Sequence, residues 1–402
     1  MITVVGGVYR ERCMRPSWQE TYGSAGRAAT AIARLGGEVE LHSYIDNAAL
    51  CIMQDRAILE GFTLVATKVP QGVAFDYTHG LSTPYIHKPV APYPPLQISK
   101  ERVLRFGMIE STAIINCEYA VYDPQNAGTP EHFDANGSKA KHLALVLNRY
   151  EASCMCGSTS ETPETMARQL ASTAGAEIVV IKMGPFGALV YDKGAISTVP
   201  AYRTNHVWKI GSGDTFAAHF AFAWMQEGRS PHAAAEIASR ATAFYCESQG
   251  HPSRKRLDEF KPEPLHISER YRSGYQPLLY LAGPFFSLAQ LWMVQEARND
   301  LRGMGLRVFS PYHDVGRGSA NDVVEKDLQG IRDCDLLFAI GDGLDAGTIY
   351  EIGYARALEK PVVMYSENES EEDRKMMEGS ACRLADDYVT AVYQTVWAAA
   401  AL

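Results

Sequence analysis

From Leu336 to Ile340 the chain is apolar without a break, and the residues that follow, Gly341-Asp342-Gly343-Leu344-Asp345-Ala346-Gly347-Thr348, are rich in glycine and carboxylates. Residues 349–358 then read as a helix. A short continuous apolar run predicts a strand buried on both faces. Strand, glycine turn and helix start, in that order, mark the edge where open α/β sheets place their active sites. Asp342, Asp345 and Glu351 all fall on that edge. Locally, Thr348 and Glu351 also fit a capping box, with Thr348 as the cap and Glu351 reaching back to its N–H. The two readings are compatible, because a helix N-terminus keeps a carboxylate ionised, and a carboxylate nucleophile must be ionised.

A chain of 402 residues exceeds what one core ordinarily supports and predicts two domains. Hydrophobic content of 46% with 21% charged residues describes a globular protein. The formal net charge of −9 argues against broad binding to nucleic acid or to an anionic membrane. Phosphorylated small molecules stay within reach, since a glycine loop binds phosphate whatever the global charge. The eight cysteines are scattered, and Cys154 and Cys156 form only C-x-C. Free thiols in a reducing compartment are expected. The N-terminus reads as a first strand and turn rather than a signal peptide. No apolar run approaches the ~20 residues of a membrane helix, so the expected location is the cytoplasm.

Residues 1–252 alternate strand-like and helix-like segments. Residues 25–35 form an alanine-rich helix closed by Gly36-Gly37, and residues 39–45 a strand. The proline-rich residues 84–95 predict an irregular loop. Short strands are expected at 113–115, 119–122, 143–147 and 178–182, and a hairpin around Asp192-Lys193-Gly194. Lys209-Ile210-Gly211-Ser212-Gly213-Asp214-Thr215-Phe216 precedes a clear helix. Small residues there let backbone N–H groups converge on an anion, which the helix dipole also favours. Asp214 could accept a proton from an attacking hydroxyl, or could simply cap the helix.

Two further stretches bear on this loop. Leu143-Ala144-Leu145-Val146-Leu147-Asn148-Arg149-Tyr150-Glu151 is a strand leading into N-x-x-E, and Val179-Val180-Ile181-Lys182-Met183-Gly184-Pro185-Phe186-Gly187 is a strand with a G-x-x-G turn. With Ala33-Arg34-Leu35-Gly36 and Tyr122-Asp123-Pro124, they resemble the ribokinase (PfkB) family of sugar and nucleoside kinases. The resemblance implies that Gly211, Ser212 and Gly213 form the anion hole and that Asp214 is the base. It further implies that Asn148 and Glu151 organise Mg²⁺ through water, and that Lys182, Gly184 and Gly187 lie near ATP. The family's Asp-Thr-Thr before the loop is Trp208-Lys209-Ile210 here, its sugar-binding Asn falls on Arg27, and its glycine pair is reduced to Tyr22-Gly23. Its early sugar-contacting Asp is also missing, with Arg10-Glu11 near the place. The phosphate machinery is kept and the acceptor pocket rebuilt: either the acceptor is itself anionic, met by Arg10 and Arg27, or the domain binds without phosphorylating.

Residues 253–277 are charged and proline-bearing, as in Arg254-Lys255-Arg256 and Pro262, and suit an interdomain linker. Residues 278–402 then restart with a strand, a turn and alternating helices, which predicts a small doubly wound α/β domain. Tyr280-Leu281-Ala282-Gly283-Pro284-Phe285, Asp327-Leu328-Gln329-Gly330-Ile331, Asp335, Asp345-Ala346-Gly347-Thr348, Glu351-Ile352-Gly353-Tyr354-Ala355 and Lys360-Pro361-Val362 together resemble the nucleoside 2-deoxyribosyltransferase family.

That resemblance makes Glu351 the nucleophile of a retaining glycosyl transfer. Asp327 and Asp345 would hold or protonate the base, one of them raised in pKa by its carboxylate neighbours, and Tyr280 would position Glu351 or the sugar. Asp342 reads as a turn residue, while Phe285, Phe286 and Trp292 are core or base-stacking platforms. The family often completes its site from a neighbouring subunit, so a homo-oligomer is expected, and residues 379–383 are where such a contribution would lie.

The expectation is an α/β protein: a ribokinase-like domain at 1–252, a linker at 253–277 and a doubly wound parallel-sheet domain at 278–402. Its ligands are nucleosides, nucleotides or sugars, with ATP and Mg²⁺ for the first domain and no cofactor for the second. The two are expected to form a bifunctional enzyme. The alternative is an N-glycoside hydrolase regulated by a non-catalytic, nucleotide-sensing domain.

Overall fold

The computed structural model describes residues 1–125, 128–159 and 161–402. The chain divides into two units, Met1–Pro264 and Leu265–Leu402. Strands of the first unit are, in chain order, β1 (Ile2–Val5), β2 (Tyr9–Arg15), β3 (Trp18–Thr21), β4 (Val39–Ile45), β5 (Thr63–Lys68), β6 (Val73–His79), β7 (Tyr85–His87), β8 (Leu96–Ser99), β9 (Arg102–Phe106), β10 (Ala113–Asp123), β11 (Lys139–Asn148), β12 (Ile178–Lys182), β13 (Ala188–Asp192) and β14 (Ala195–Val199).

Ten of these form one sheet in the order β14-β13-β12-β11-β10-β9-β1-β4-β5, with β8 also paired to β10. Its central strands are parallel and almost wholly buried, as helices on both faces require. The two strands expected at 113–115 and 119–122 are one continuous β10, whose free edge is shared between β8 and β9. The hairpin β13–β14 turns at Lys193 and Gly194, both at positive φ. The parallel strands β10, β11 and β12 end at Asp123, Asn148 and Lys182, so one edge of the sheet receives all three side chains.

A separate four-stranded sheet, β3-β2-β6-β7, was not anticipated from the sequence. β2 alternates buried and exposed residues along YRERCMR, which puts Glu11 inside and Arg10 and Arg12 outside. One of its strands, β7, lies inside the proline-rich 84–95 stretch.

In the second unit the strands are β15 (Leu278–Ala282), β16 (Arg307–Phe309), β17 (Leu336–Ile340), β18 (Val362–Tyr365) and β19 (Arg383–Ala385). All pair in parallel in the order β16-β15-β17-β18-β19, a doubly wound sheet whose strand order reverses between β15 and β17. The Ala320–Asp333 and Ala346–Ala357 helices pack on β15, joining Ile331, Ile352 and Ala355 to Tyr280, Ala282, Leu337 and Ala339 in one cluster. Gly330 lets the first of these helices approach closely: a Cβ there would stand 2.5 Å from the Phe309 ring.

The stretch 253–277 is divided between the units rather than free of both. Ser253 caps the Arg254–Glu259 helix, whose Leu257 is buried, and Tyr202 bridges to Pro264. Ser268 N–H donates to the Ala400 carbonyl of the second unit. Among the described residues no helix is long and apolar enough to cross a membrane.

Candidate functional sites

At the strand-order reversal of the second unit, Tyr280 Oη donates to Glu351 Oε1 at 2.7 Å. Tyr280 is wholly buried and its ring stacks on Phe309 with centroids 5.4 Å apart. Burial pushes the Glu351 carboxyl up to about 7; the Tyr280 hydrogen bond pulls it down, and the charges of Asp327 and Asp345 add to the rise. Burial also raises Asp327, whose Oδ1 is enclosed without a hydrogen-bond partner. Of the four residues singled out in the sequence, Tyr280 and Glu351 are in direct contact, and Asp327 and Asp345 are close enough for their charges to act on Glu351.

The capping box read from Thr348 and Glu351 is not formed. The helix begins three residues earlier than that box requires: Asp345 is the N-cap, and its Oδ2 accepts from Thr348 N at 2.9 Å and Thr348 Oγ1 at 3.0 Å. Glu351 thus sits in the second turn, free of capping, and faces Tyr280. Gly343 and Leu344, both at positive φ, turn the chain into this cap. Asp342 accepts from Asn368 N and Nδ2 at 3.0 and 2.7 Å, confirming it as a loop-fixing residue.

Asp335 is also structural, accepting from Tyr275 Oη and Leu278 N. Phe286 and Trp292 are exposed rather than core. Within 379–383, the Ser380 carbonyl accepts from Arg356 Nε at 2.7 Å and Cys382 is buried, so this segment is anchored on its own chain.

In the first unit, Gly211 is the N-cap of the Ser212–Ala221 helix, and Asp214 lies in its first turn without capping it. Asp214 instead accepts from Gln125 Nε2 at 2.6 Å and from Arg27 Nη1 at 3.2 Å. Arg27 is 1% exposed. The same Nη1 also donates to Glu11 Oε1 at 3.1 Å, while Nη2 donates to Glu11 Oε2 at 2.5 Å and Nε to Tyr245 Oη at 3.2 Å. Burial opposes the Arg27 charge, but Glu11, Tyr245 and Asp214 outweigh it and hold the guanidinium well above its usual range. Gly211, at φ +80°, leaves room for this guanidinium: a Cβ there would stand 2.2 Å from Arg27 Nε.

An anionic acceptor met by Arg10 and Arg27 is not what the residues offer. Arg27 is saturated by Glu11, Asp214 and Tyr245, while Arg10 is half-exposed and pairs with Asp46 at 3.6 Å. Signals for this network are weak in the sequence, because an arginine in an alanine-rich helix ordinarily reads as a solvated face.

Asn148 and Glu151 form a true capping box, with Asn148 N to Glu151 Oε2 at 2.7 Å and Glu151 N to Asn148 Oδ1 at 2.8 Å. Lys182 Nζ donates to Asp123 Oδ2 at 2.6 Å. Asp123 is fully buried and its Oδ1 has no partner. Burial pushes its carboxyl up to about 7, against the Lys182 ammonium and with help from Glu151. Gly184 and Gly187 shape the 3-10 turn after β12, both at positive φ. An enclosed, unsatisfied Asp123 oxygen beside Glu151 is a donor set suited to a hydrated divalent cation.

Residues 279–382 match the nucleoside 2-deoxyribosyltransferase family model, and residues 124–254 match that of the pfkB family carbohydrate kinases. The chain thus carries a kinase-type segment followed by a deoxyribosyltransferase-type segment, in the order expected. Glu11, Arg27 and Asp123 precede the matched kinase segment.

Comparison with curated proteins gave no match. Solved structures similar to the chain include a phosphofructokinase-2 variant from Escherichia coli, at 14% identity and TM-score 0.49 over 64% of this chain and 97% of that one. A ribokinase from Thermotoga maritima aligns at 18% identity and TM-score 0.45, over 64% and 98%. A pyrophosphate-dependent kinase of the ribokinase family, complexed with a pyrophosphate analogue and myo-inositol, aligns at 15% and 0.46, over 65% and 100%.

Proposed function

We propose that the second unit cleaves or exchanges the N-glycosidic bond of a (deoxy)nucleoside or nucleotide through a covalent glycosyl–Glu351 intermediate. The observation that carries this reading is the Tyr280–Glu351 hydrogen bond at 2.7 Å, in a crevice shared with Asp327. With Oε1 held by Tyr280, Oε2 is the oxygen that attacks C1′. As the C1′–O bond forms, the C1′–N bond breaks, its electron pair goes to the base nitrogen, and a proton from Asp327 neutralises it. Asp327 suits that role because burial favours its protonated form. Asp345 has Oδ2 engaged by Thr348 and serves to orient. A second base, or water, then attacks C1′ from the vacated side, gives up its proton to Asp327 and releases the Glu351 carboxylate, giving transfer or hydrolysis.

The test is mass spectrometry of the products from a pooled nucleoside and nucleotide mixture. Free base is the expected product; its absence from every substrate would end this reading.

Because Glu351 must be ionised to attack, and its carboxyl is pushed up to about 7, kcat/KM should rise with pH through about 7 and fall below it. In Tyr280→Phe the hydrogen bond that lowers this pKa is gone, so the acid limb should move to higher pH. A limb unmoved in Tyr280→Phe would mean that the titrating group is not Glu351.

For the first unit, the bifunctional reading assigns phosphorylation of a sugar or nucleoside, with Asp214 as base and the Gly211-Ser212-Gly213 loop around the transferred phosphate. ATP supplies the phosphoryl group when bound; Lys182, Gly184 and Gly187 lie toward it, and Asp123, Asn148 and Glu151 would hold Mg²⁺.

A second reading, a binding unit that regulates the glycosidic reaction, is favoured by the Arg27–Asp214 ion pair. Both oxygens of the proposed base are already engaged, Oδ2 by Arg27 and Oδ1 by Gln125, and Glu11 shares the same guanidinium. Phosphorylation assays over a nucleoside and sugar panel, with Asp214→Asn as control, separate the two. Transfer that depends on Asp214 supports the kinase; no transfer together with nucleotide binding supports the regulator.

A further inference from the structure

Lys209 is the residue of the phosphate loop that neither reading uses. It stands where the resembled kinases carry a threonine, two positions before Gly211. Its Nζ donates to Ser212 Oγ at 2.9 Å, at the start of the Ser212–Ala221 helix, and among the described residues no carboxylate pairs with it. A second amine overlooks the same loop: a Cβ on Gly213 would be 3.4 Å from Lys182 Nζ. Lys182 has its counter-ion in Asp123; Lys209 has only a hydroxyl. Burial pulls the Lys209 ammonium below its usual range and the Lys182 charge adds to that; the nearby Cys246 thiol opposes it most, followed by Asp214 and Glu151. A partly enclosed cation without a counter-ion costs folding free energy. That cost is offset once an anion arrives, and backbone N–H groups of a glycine loop at a helix N-terminus are already aimed at one.

We propose that Lys209 is a phosphate-positioning residue that supplies the loop with a built-in cation, so that the first unit binds an oligophosphate without requiring a divalent metal. The proposal rests on the phosphate-loop reading and names the ligand class for it: a di- or triphosphate moiety whose terminal phosphate lies between Lys209, Lys182 and the Gly211–Gly213 amides. An ammonium differs from Mg²⁺ in what it selects. It neutralises one charge as a point donor and demands no octahedral shell. The loop then distinguishes phosphate chains by charge and length rather than by the metal they carry.

The experiment is isothermal titration of the full chain with inorganic pyrophosphate, in EDTA and again in excess Mg²⁺. Pyrophosphate carries neither base nor sugar, so it does not address the glycosidic crevice. The wild-type protein is expected to bind in EDTA. Lys209→Met should weaken that binding roughly tenfold to a hundredfold, the loss of one charge-assisted contact. Lys209→Arg, which keeps the charge, should restore most of it, and thermal melting of both variants identifies any loss of fold. Wild-type binding that appears only with Mg²⁺, or Lys209→Met binding as tightly as wild type, overturns the proposal while leaving the phosphate loop intact. Binding under neither condition overturns the phosphate-loop reading itself.

Discussion

Glu351→Gln is expected to abolish base release, with kcat reduced on the order of 10⁴-fold or more, the scale seen when a covalent nucleophile is removed. Glutamine keeps a carbonyl oxygen for the Tyr280 hydroxyl, so the 2.7 Å contact and the fold should survive. Nothing in the helix start depends on residue 351, since Asp345 provides the cap. Loss of activity can therefore be assigned to lost attack rather than to a melted helix. The direct readout is covalent trapping: a slow 2-fluoro-substituted nucleoside should add one glycosyl mass to the peptide containing Glu351 and none to the variant. Base release within tenfold of wild type would remove Glu351 from the role of nucleophile.

Arg27→Ala should be the most damaging single change in the first unit. It leaves two buried carboxylates, Glu11 at 5% and Asp214 at 7% exposure, facing each other without the cation between them. Breaking a buried pair by removing one partner costs about 3–5 kcal/mol. At roughly 2–4 °C per kcal/mol for a unit of this size, calorimetry should show a drop of about 6–20 °C. Arg27→Lys should recover only part of it, because one ammonium cannot serve Glu11, Asp214 and Tyr245 in the geometry the planar fork allows. A melting temperature unchanged in Arg27→Ala would mean that the network is not what holds this region together.

The fold was largely legible in the sequence wherever burial is two-sided. Runs such as 143–147 and 336–340 have no alternation to misread, and they became central parallel strands. The four-stranded β3-β2-β6-β7 sheet escaped because its strands are short, half-exposed and heavily charged, so Arg10, Glu11 and Arg12 carried no strand signal of their own. Of the candidate sites, the C-terminal one was named through the family resemblance rather than the pattern, and the structure puts two of its residues, Tyr280 and Glu351, in contact.

What the pattern could not settle was the hydrogen bonding. A Thr three residues before a Glu reads as a capping box, but Asp345 accepts the same N–H more strongly and lies closer to the turn. For the Arg27 network the sequence offered only the altered positions at Arg27 and Glu11, and nothing that paired them. The network's members come from β2, three helices and the loop at Gln125, and only packing brings them together.

Tyr280 has one more consequence. A glutamate on a helix surface ordinarily samples several rotamers, and an enzyme that relies on it must freeze them during each turnover. Here the phenol is wholly buried and stacked on Phe309, so its hydroxyl offers Glu351 a fixed partner. On the proposed mechanism, the entropy of aiming Glu351 is spent once, when the chain folds, and not again with each substrate. Under that mechanism the arriving sugar would be the only moving part, and a bare pentose with a small leaving group should react about as readily as a full nucleotide.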